Sequence, residues 1–534
     1  MPAPPTERER KLYVDANSRW LWISQLAAWC GVTYSLLRFA DESVWLTPFA
    51  WWAAAGALYF AISMFANTSF RRFDLRRHDR DGAELRTAPA LPSVDVFLPN
   101  CGESLEILDN TFRNVAALDY GGELHVWCLD DRGLLEVADL ATKYGFEYLS
   151  RPNKGEFKKA GNLRYAFDRT TSDFIVIFDA DFCPRPGFLY ELLPYALGDE
   201  KIGIVQSPQY FNVDSRRNWL ERGAGAVQEF FYRWVMPARD RNGSPICVGT
   251  NAVYRRAALD TTGGGALVEN SEDVHTGFNL LMKGWTTRYV PVVLATGLCP
   301  ATLGAYFNQQ HRWCSGSMSL LFSKKFWTAP IRIRAKTTFL AGMTYYVYTG
   351  AAIIIAPLPA LVMVWALPEH VRLINYLPLI PAIVHNLFVF PMWHRCRYRA
   401  SAFRTKMIYA FAHLYAFADR VSGRPMRWTP TGNSSRLGPR IRHVRALVLG
   451  WPVAVFVIAA TGCAVHMHGP FDVAFWPVLI TTGVFAATAL PMARVPLRAP
   501  ADVALNVGPT RPERASLPDI RLESREADAV RTAH

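Results

Sequence analysis

Apolar residues are grouped along this chain in two ways. Long unbroken runs occupy about Trp20–Leu37, Val44–Ala66, Tyr345–Leu367, Ile374–Trp393, Ala446–His466 and Val473–Met492. Each is near the ~20 residues that a helix needs to cross a bilayer. From about residue 90 to 330 the runs are short: Val94–Leu98, Leu124–Leu129, Phe174–Phe178 and Ile202–Val205, with helix-length amphipathic stretches between them. That alternation predicts βαβ units around a mostly parallel sheet. No stretch there is long enough to span a membrane. The expected architecture is an α/β domain at 90–330 inserted between transmembrane helices. Residues 1–70 would hold a polar N-terminus and two spans, and 336–492 four more. A Pro-, Arg- and Glu-rich tail at 495–534 has too little apolar content to fold and is expected to be disordered.

Charge orients this plan. Arg71, Arg72, Arg76, Arg77, Arg80 and Arg86 follow the second run. The loop 394–445 carries a dozen Lys and Arg residues against one acid, Asp419. Basic loops stay cytoplasmic. The α/β domain and both termini are therefore expected in the cytoplasm of a cell (inner or plasma) membrane, with the links Pro368–Leu373 and Met467–Asp472 outside. The first run has no small-residue cleavage site and a second run follows it, which argues against a removable signal peptide. Apolar residues at helical spacing in Phe403–Phe411 predict an amphipathic helix lying along the inner membrane face. The chain has 534 residues, 51% of them hydrophobic and 19% charged, a balance that suits a water-soluble domain joined to membrane helices. The net charge of +13 tracks the membrane borders rather than an aromatic-studded face, which excludes a nucleic-acid partner. Nine cysteines without a CxxC pair or a His/Cys cluster exclude structural zinc and a disulfide framework.

The candidate chemistry begins at Asp179 and Asp181, where the 174–178 run stops. In a strand, residues i and i+2 point the same way. Ligands of open α/β sheets sit beyond the carboxyl ends of the strands. Two carboxylates facing one volume need a cation between them, and hard oxygen ligands suit Mg²⁺ or Mn²⁺ shared with substrate phosphates. Alone, such a tripeptide is common and reads as a solvated strand end. Three further features accompany it: Asp130-Asp131 after the second short run, Ser271-Glu272-Asp273 after Gly263-Gly264-Gly265, and Gln309-Gln310-His311-Arg312-Trp313 before the third span. Asp273 taken singly reads first as the N-cap of a helix beginning at Val274.

In this order and at these intervals the four features resemble the D, DxD, TED and QxxRW motifs of the processive family 2 glycosyltransferases, the group of cellulose synthase. Val94–Pro99 is similar to that family's opening strand, Lys159-Ala160-Gly161-Asn162 to its KAGN segment, and Gln206–Phe211 to its QTPxxF segment. The resemblance covers about residues 20–490, including the order of spans and domain.

It implies a GT-A-like cytosolic domain, a nucleotide-sugar donor (UDP-glucose foremost), and Mg²⁺ or Mn²⁺ held by Asp179 and Asp181. Glu103, Asp130, Asp131, Lys159, Gln309 and Arg312 would contact the donor nucleotide. Glu272 and Trp313 would meet the acceptor, a growing polysaccharide. Asp273 would be the general base. With no second carboxylate placed as a nucleophile, a single inverting displacement follows, giving a β-linked polymer such as cellulose. The spans would conduct the polymer, and an export protein could receive it. The rival within the enzyme class is a non-processive transferase that loads one sugar onto a lipid. The rival outside it is a transporter with a cytosolic regulatory domain, disfavoured because the spans hold few ionisable residues, His385 among them.

The chain departs from the family in four places. Pro99-Asn100-Cys101-Gly102-Glu103 lacks the aromatic that would stack on uracil. Cys247–Asn251 stands where FCGS is expected. Met426–Gly432 matches the FxVTxK gating loop only at Thr429, with Trp428 beside it. No stretch resembles a cyclic-dinucleotide-binding domain. These differences point to a cellulose synthase-like enzyme whose sugar or linkage differs.

Overall fold

The computed structural model describes residues 1–15, 19–67, 72–211, 217–424, 439–469 and 472–495. The α/β domain is built on a seven-stranded sheet ordered β3-β2-β1-β4-β8-β6-β9. Its strands are β1 (Val94–Asn100), β2 (Leu124–Asp130), β3 (Glu147–Leu149), β4 (Phe174–Ile177), β6 (Ile202–Gln206), β8 (Ala252–Arg255) and β9 (Thr286–Tyr289). A second sheet joins β5 (Phe182–Pro184), β10 (Ala295–Gly297) and β7 (Tyr210–Phe211). Every residue of β1 and β4 is buried, which is why neither shows polar alternation. Helices Leu105–Ala116 and Phe188–Gly198 cover one face, and Lys158–Phe167 and Arg256–Asp260 the other. The one charge inside β1, Asp95, is satisfied by Trp127 Nε1 at 2.9 Å, the Ser172 amide at 3.1 Å and Arg256 at 3.0 Å.

The sheet is the expected GT-A-like one, mostly parallel, with β8 inserted antiparallel between β4 and β6. That reversal brings the residues entering β8 to the sheet edge where β4 ends. The Asn251 amide donates to Ile177 O at 2.9 Å, and the Asp179 amide to Thr250 Oγ1 at 2.9 Å.

Residues 1–15, expected only to be polar, form a strap across this domain. Arg10 pairs with Glu191 at 2.7 Å and Asp79 at 2.5 Å, its carbonyl accepts from the Val293 amide, and Tyr13 is buried edge-on against Tyr210.

Among the described residues five helical stretches are long and apolar enough to cross a membrane: Val44–Asn67, Ile333–Ala366, Leu373–Trp393, Arg440–His466 and Val473–Arg494. The first expected span lies in helix Arg19–Asp41, which is long enough but is not one of these five. Ile333–Ala366 starts earlier than its apolar run suggests and is broken before Leu358, at Pro357.

The helix expected to lie along the membrane face is real but longer, Ala400–Val421, and it has no free apolar stripe. It is wedged between helices Trp219–Phe230, Leu303–Leu321 and Ile333–Ile355. Small residues make this possible. A Cβ on Gly223 would stand 2.4 Å from Ser401 O, so the two backbones touch. The tail expected to be disordered lies almost wholly outside the described residues.

Candidate active site

The chain turns sharply after β4, and that turn holds the two carboxylates. The Phe182 amide closes it on Asp179 O at 3.0 Å, and Thr111 Oγ1 holds Ala180 O at 2.8 Å. Asp179 and Asp181 are left half-buried at the sheet edge. Lys159 reaches them from the start of helix Lys158–Phe167. Its Nζ bonds Asp179 Oδ1 and donates to Gly249 O at 2.9 Å, with Glu272 Oε1 at 3.8 Å. Burial works to lower this ammonium's pKa, but Asp179 and Glu272 outweigh it and raise the value, so Lys159 stays charged.

Asp273 lies in the first turn of helix Glu272–Met282, whose N-cap is Ser271. It is therefore not the cap that its isolated position suggests. Its Oδ1 accepts from the next amide, Val274 N, at 2.8 Å. Burial first, then Glu272, pushes its pKa up to about 7. A carboxylate poised there is matched to general-base work near neutrality.

Arg312 enters from helix Leu303–Leu321. Burial pushes its guanidinium pKa down, while Glu272, Asp179, Asp273 and Asp181 all oppose that. These four carboxylates therefore all lie within electrostatic reach of one arginine. Gln309 and Gly316, three residues before and four after, share its side of the helix by spacing, and Trp313 is the next residue round. Gly316 seats that side on the turn before Asp273, since a Cβ there would stand 1.9 Å from Ser271 Oγ. Glu103 completes the acidic group. It accepts from the Cys101 amide at 2.6 Å, and its pKa is raised first by burial and then by Asp179 and Asp130.

Asp130 and Asp131 are turned inward. Asp130 accepts from the amides of Arg132 (2.8 Å) and Leu134 (2.7 Å) and from Tyr148 Oη (3.0 Å). Asp131 takes the fork of buried Arg151 at 2.5 and 3.0 Å and the Gly155 amide at 3.2 Å. Arg151 also holds Glu156 O and Lys158 O, at 2.6 and 3.1 Å. Asp131 therefore fixes the turn that presents Lys159, and Asp130 shapes the loop after β2. Both carboxylates, expected to contact the nucleotide, already accept hydrogen bonds from the protein itself.

Two further contributors were not among the predicted site residues, although the first lies in the Cys247–Asn251 segment that stands where FCGS is expected. Gly249-Thr250-Asn251 contacts Lys159 and Asp179 and crowds Asp273, because a Cβ on Gly249 would stand 2.9 Å from Asp273 Oδ2. Tyr232 is buried, and its hydroxyl pKa is driven far up, by burial and then by Asp273. A structural signal marks the region. The non-glycine residues of positive φ among the described ones are Phe157, Lys158, Asn251 and Ser271, each within two residues of Lys159, Thr250 or Glu272. Such strain collects where structure is held for function. Trp428 and Thr429 lie outside the described residues.

No cluster of three or more His, Cys, Asp or Glu is placed to hold a metal unaided among the described residues. Asp179 and Asp181 nevertheless fit Mg²⁺ or Mn²⁺, which commonly binds through one or two carboxylates with phosphate and water completing the sphere. The Asp181 pKa is pushed up to about 7 by burial and then by Asp179 and Glu103. The acidic group thus leaves room for a further positive charge beside Lys159 and Arg312.

Residues 92–316 match the family described as "Glycosyltransferase like family 2". The catalytic subunit of UDP-forming cellulose synthase 1 from Komagataeibacter xylinus is 30% identical over 273 residues, which is 50% of this chain and 36% of that one. The UDP-forming cellulose synthase catalytic subunit of Xanthomonas axonopodis pv. citri is 32% identical over 234 residues, 42% of this chain and 31% of that one. The matched stretch thus spans about a third of the length of these relatives. Among solved structures, the mannosyltransferase PcManGT from Pyrobaculum calidifontis, in complex with GDP-Man and Mn²⁺, superposes with a TM-score of 0.48 at 16% identity, covering 70% of this chain and 98% of that one.

Proposed function

From the premise that this chain is a cellulose synthase-like glycosyltransferase of family 2, we propose that it polymerises a UDP-sugar, UDP-glucose foremost, into a β-linked polysaccharide and passes the product through its own membrane helices. The observation that carries the reading is the meeting of Arg312 and Lys159 with Asp179, Asp181, Glu272 and Asp273 at one edge of the sheet.

Asp273 accepts the proton of an acceptor hydroxyl. The bond from that oxygen to the donor's anomeric carbon forms as the bond to the donor's phosphate oxygen breaks. Arg312 and Lys159 face the departing diphosphate with positive charge. A divalent cation on Asp179 and Asp181 would add charge neutralisation at the phosphate oxygens. A single base with no opposing nucleophile gives one displacement with inversion, so an α-linked donor yields a β-linked product. Trp313 offers a flat face for the terminal sugar.

Aromatic side chains beyond the site support a conduit. Tyr346 and Tyr409 flank His413 at ring distances of 4.8 and 5.1 Å. Arg239 Nε and Nη1 and His413 Nε2 are buried without hydrogen-bond partners, which suits passing hydroxyls. The catalytic domain would face the cytoplasm, and a further protein could receive the polymer outside.

The test is incorporation of radiolabelled sugar by the purified protein in lipid vesicles, with several UDP-sugars, with and without Mn²⁺. Metal-dependent, high-molecular-weight product, lost in Asp273→Asn, is expected. Label confined to a small lipid-soluble product would replace the reading with single-sugar transfer to a lipid.

A further inference from the structure

A second group of charges lies behind Arg312, with His311 and Asp419 buried and Arg440 part-exposed at its rim. His311 Nε2 is 2.8 Å from Asp419 Oδ2, Arg440 donates to the same oxygen, and Arg440 Nη2 is 3.4 Å from His311 Nε2. The three residues stand on three elements. His311 lies between Gln310 and Arg312 on helix Leu303–Leu321. Asp419 is in the last turn of helix Ala400–Val421. Arg440 is in the first turn of helix Pro439–His466. The Arg440 guanidinium also lies 5.1 Å over the Tyr415 ring and 6.0 Å from that of Phe307. The seam around them is otherwise apolar, with Phe307, Ile408, Phe411, Ile441 and Val444 buried in it.

An apolar seam alone tolerates sliding and rotation of its helices. A buried ion pair adds little net stability, but it is satisfied in one register only. A slip of one residue moves a helical side chain about 1.5 Å along the axis and swings it to another face.

We propose that His311, Asp419 and Arg440 form a positioning clasp that sets the height and rotation of helix Leu303–Leu321, so that Arg312 faces the acidic group. This rests on the reading of Arg312 as a contact for the donor diphosphate. In this role Asp419 and Arg440 act through His311 on the next residue, and are positioning residues.

The experiment compares wild type, Asp419→Asn and Asp419→Glu as purified full chains in detergent. It reads UDP binding with Mn²⁺ by calorimetry, donor KM and kcat, Tm, and hydrogen exchange over residues 303–321. Asp419→Asn should weaken UDP about tenfold, raise donor KM and speed exchange in that helix, and Asp419→Glu should recover most of each. Wild-type UDP affinity and unchanged exchange in Asp419→Asn, or a fall in Tm alone, would overturn the clasp. If Asp419→Asn does not fold, Arg440→Gln is read in the same way. A wild type that binds no UDP would instead overturn the donor reading, while exchange over residues 303–321 still decides the clasp.

Discussion

Gly316 leaves no room for a side chain against Ser271. A Cβ built on it would stand 1.9 Å from Ser271 Oγ and 2.3 Å from Ser271 Cβ. The helix that carries Arg312 is thereby seated on the turn that starts the helix of Asp273. Ser271 is at φ 54, a conformation with little freedom to yield. Gly316→Ala should push the two motifs apart and lower turnover by at least about tenfold, with Tm lowered by only a few degrees. Gly198→Ala, where nothing lies within 4 Å, should leave turnover unchanged. Equal turnover in the two variants would refute the close seating.

Asp273 must be ionised to accept a proton, and burial and Glu272 hold its pKa at about 7. Activity should therefore rise with pH through an acid limb near 7, losing about tenfold per unit below it. A cation on Asp179 offsets one of the charges that raise this pKa, so saturating Mn²⁺ and donor should move the limb to lower pH. Asp273→Asn should reduce turnover by about 10²- to 10⁴-fold while UDP still binds. The same group sets a stability slope. Unfolded, the carboxyl ionises near 3.8; folded, near 7. Between those values the folded state holds the extra proton, so stability falls as pH rises through that window. The Tm of Asp273→Asn should fall less over that range than that of the wild type. Parallel Tm curves would show that Asp273 does not carry the shift.

Asp131 separates a structural role from direct contact with the nucleotide. Arg151 and the Gly155 amide occupy its carboxylate, and Arg151 in turn braces the turn before Lys159. Breaking a buried pair from one side leaves an uncompensated charge and destabilises by roughly 3–5 kcal/mol. Asp131→Asn should therefore lower Tm markedly, with UDP affinity of the folded fraction reduced only as far as Lys159 shifts. A large loss of UDP affinity at unchanged Tm would restore Asp131 as a nucleotide contact.

The strands that position the site were legible because burial on both faces leaves a continuous apolar run, as in Val94–Leu98 and Phe174–Phe178. β8 was not. Ala252–Arg255 is four residues long, and its antiparallel place between β4 and β6 is decided by pairing, not by local pattern. The motif carboxylates were legible as types at intervals. Their loyalties were not, since Asp131 looks the same in sequence whether it meets a nucleotide or Arg151. Gly249 and Gly316 are visible only through what a Cβ would strike. The strap of residues 1–15 is polar in sequence because Arg10 is balanced by Asp79 and Glu191, residues far along the chain. Helix Ala400–Val421 carries the expected spacing, but small residues such as Ala402, Ala412 and Ala416 bury it on several sides, where a stripe count suggests one.

Lys159 and a divalent cation compete for Asp179. The ammonium already bonds Asp179 Oδ1 and lies 3.8 Å from Glu272 Oε1. Among the described residues Arg312 also lies within electrostatic reach of the acidic group. Lys159→Met would leave those carboxylates with less compensation, so their attraction for another cation should grow. At the dielectric of a half-buried site a nearby unit charge is worth a few kcal/mol before screening, so a rise of about tenfold in affinity for Mn²⁺ alone is the expected outcome of a titration without nucleotide. Turnover should move the opposite way. The methionine cannot face the departing diphosphate or hold Gly249 O, and Gly249 lies against Asp273. Tighter Mn²⁺ with slower transfer would place Lys159 as both the cation's rival and the donor's partner. Weaker Mn²⁺ would mean that Lys159 organises Asp179 for the metal instead of competing with it, and the charge-balance account of this site would have to be abandoned.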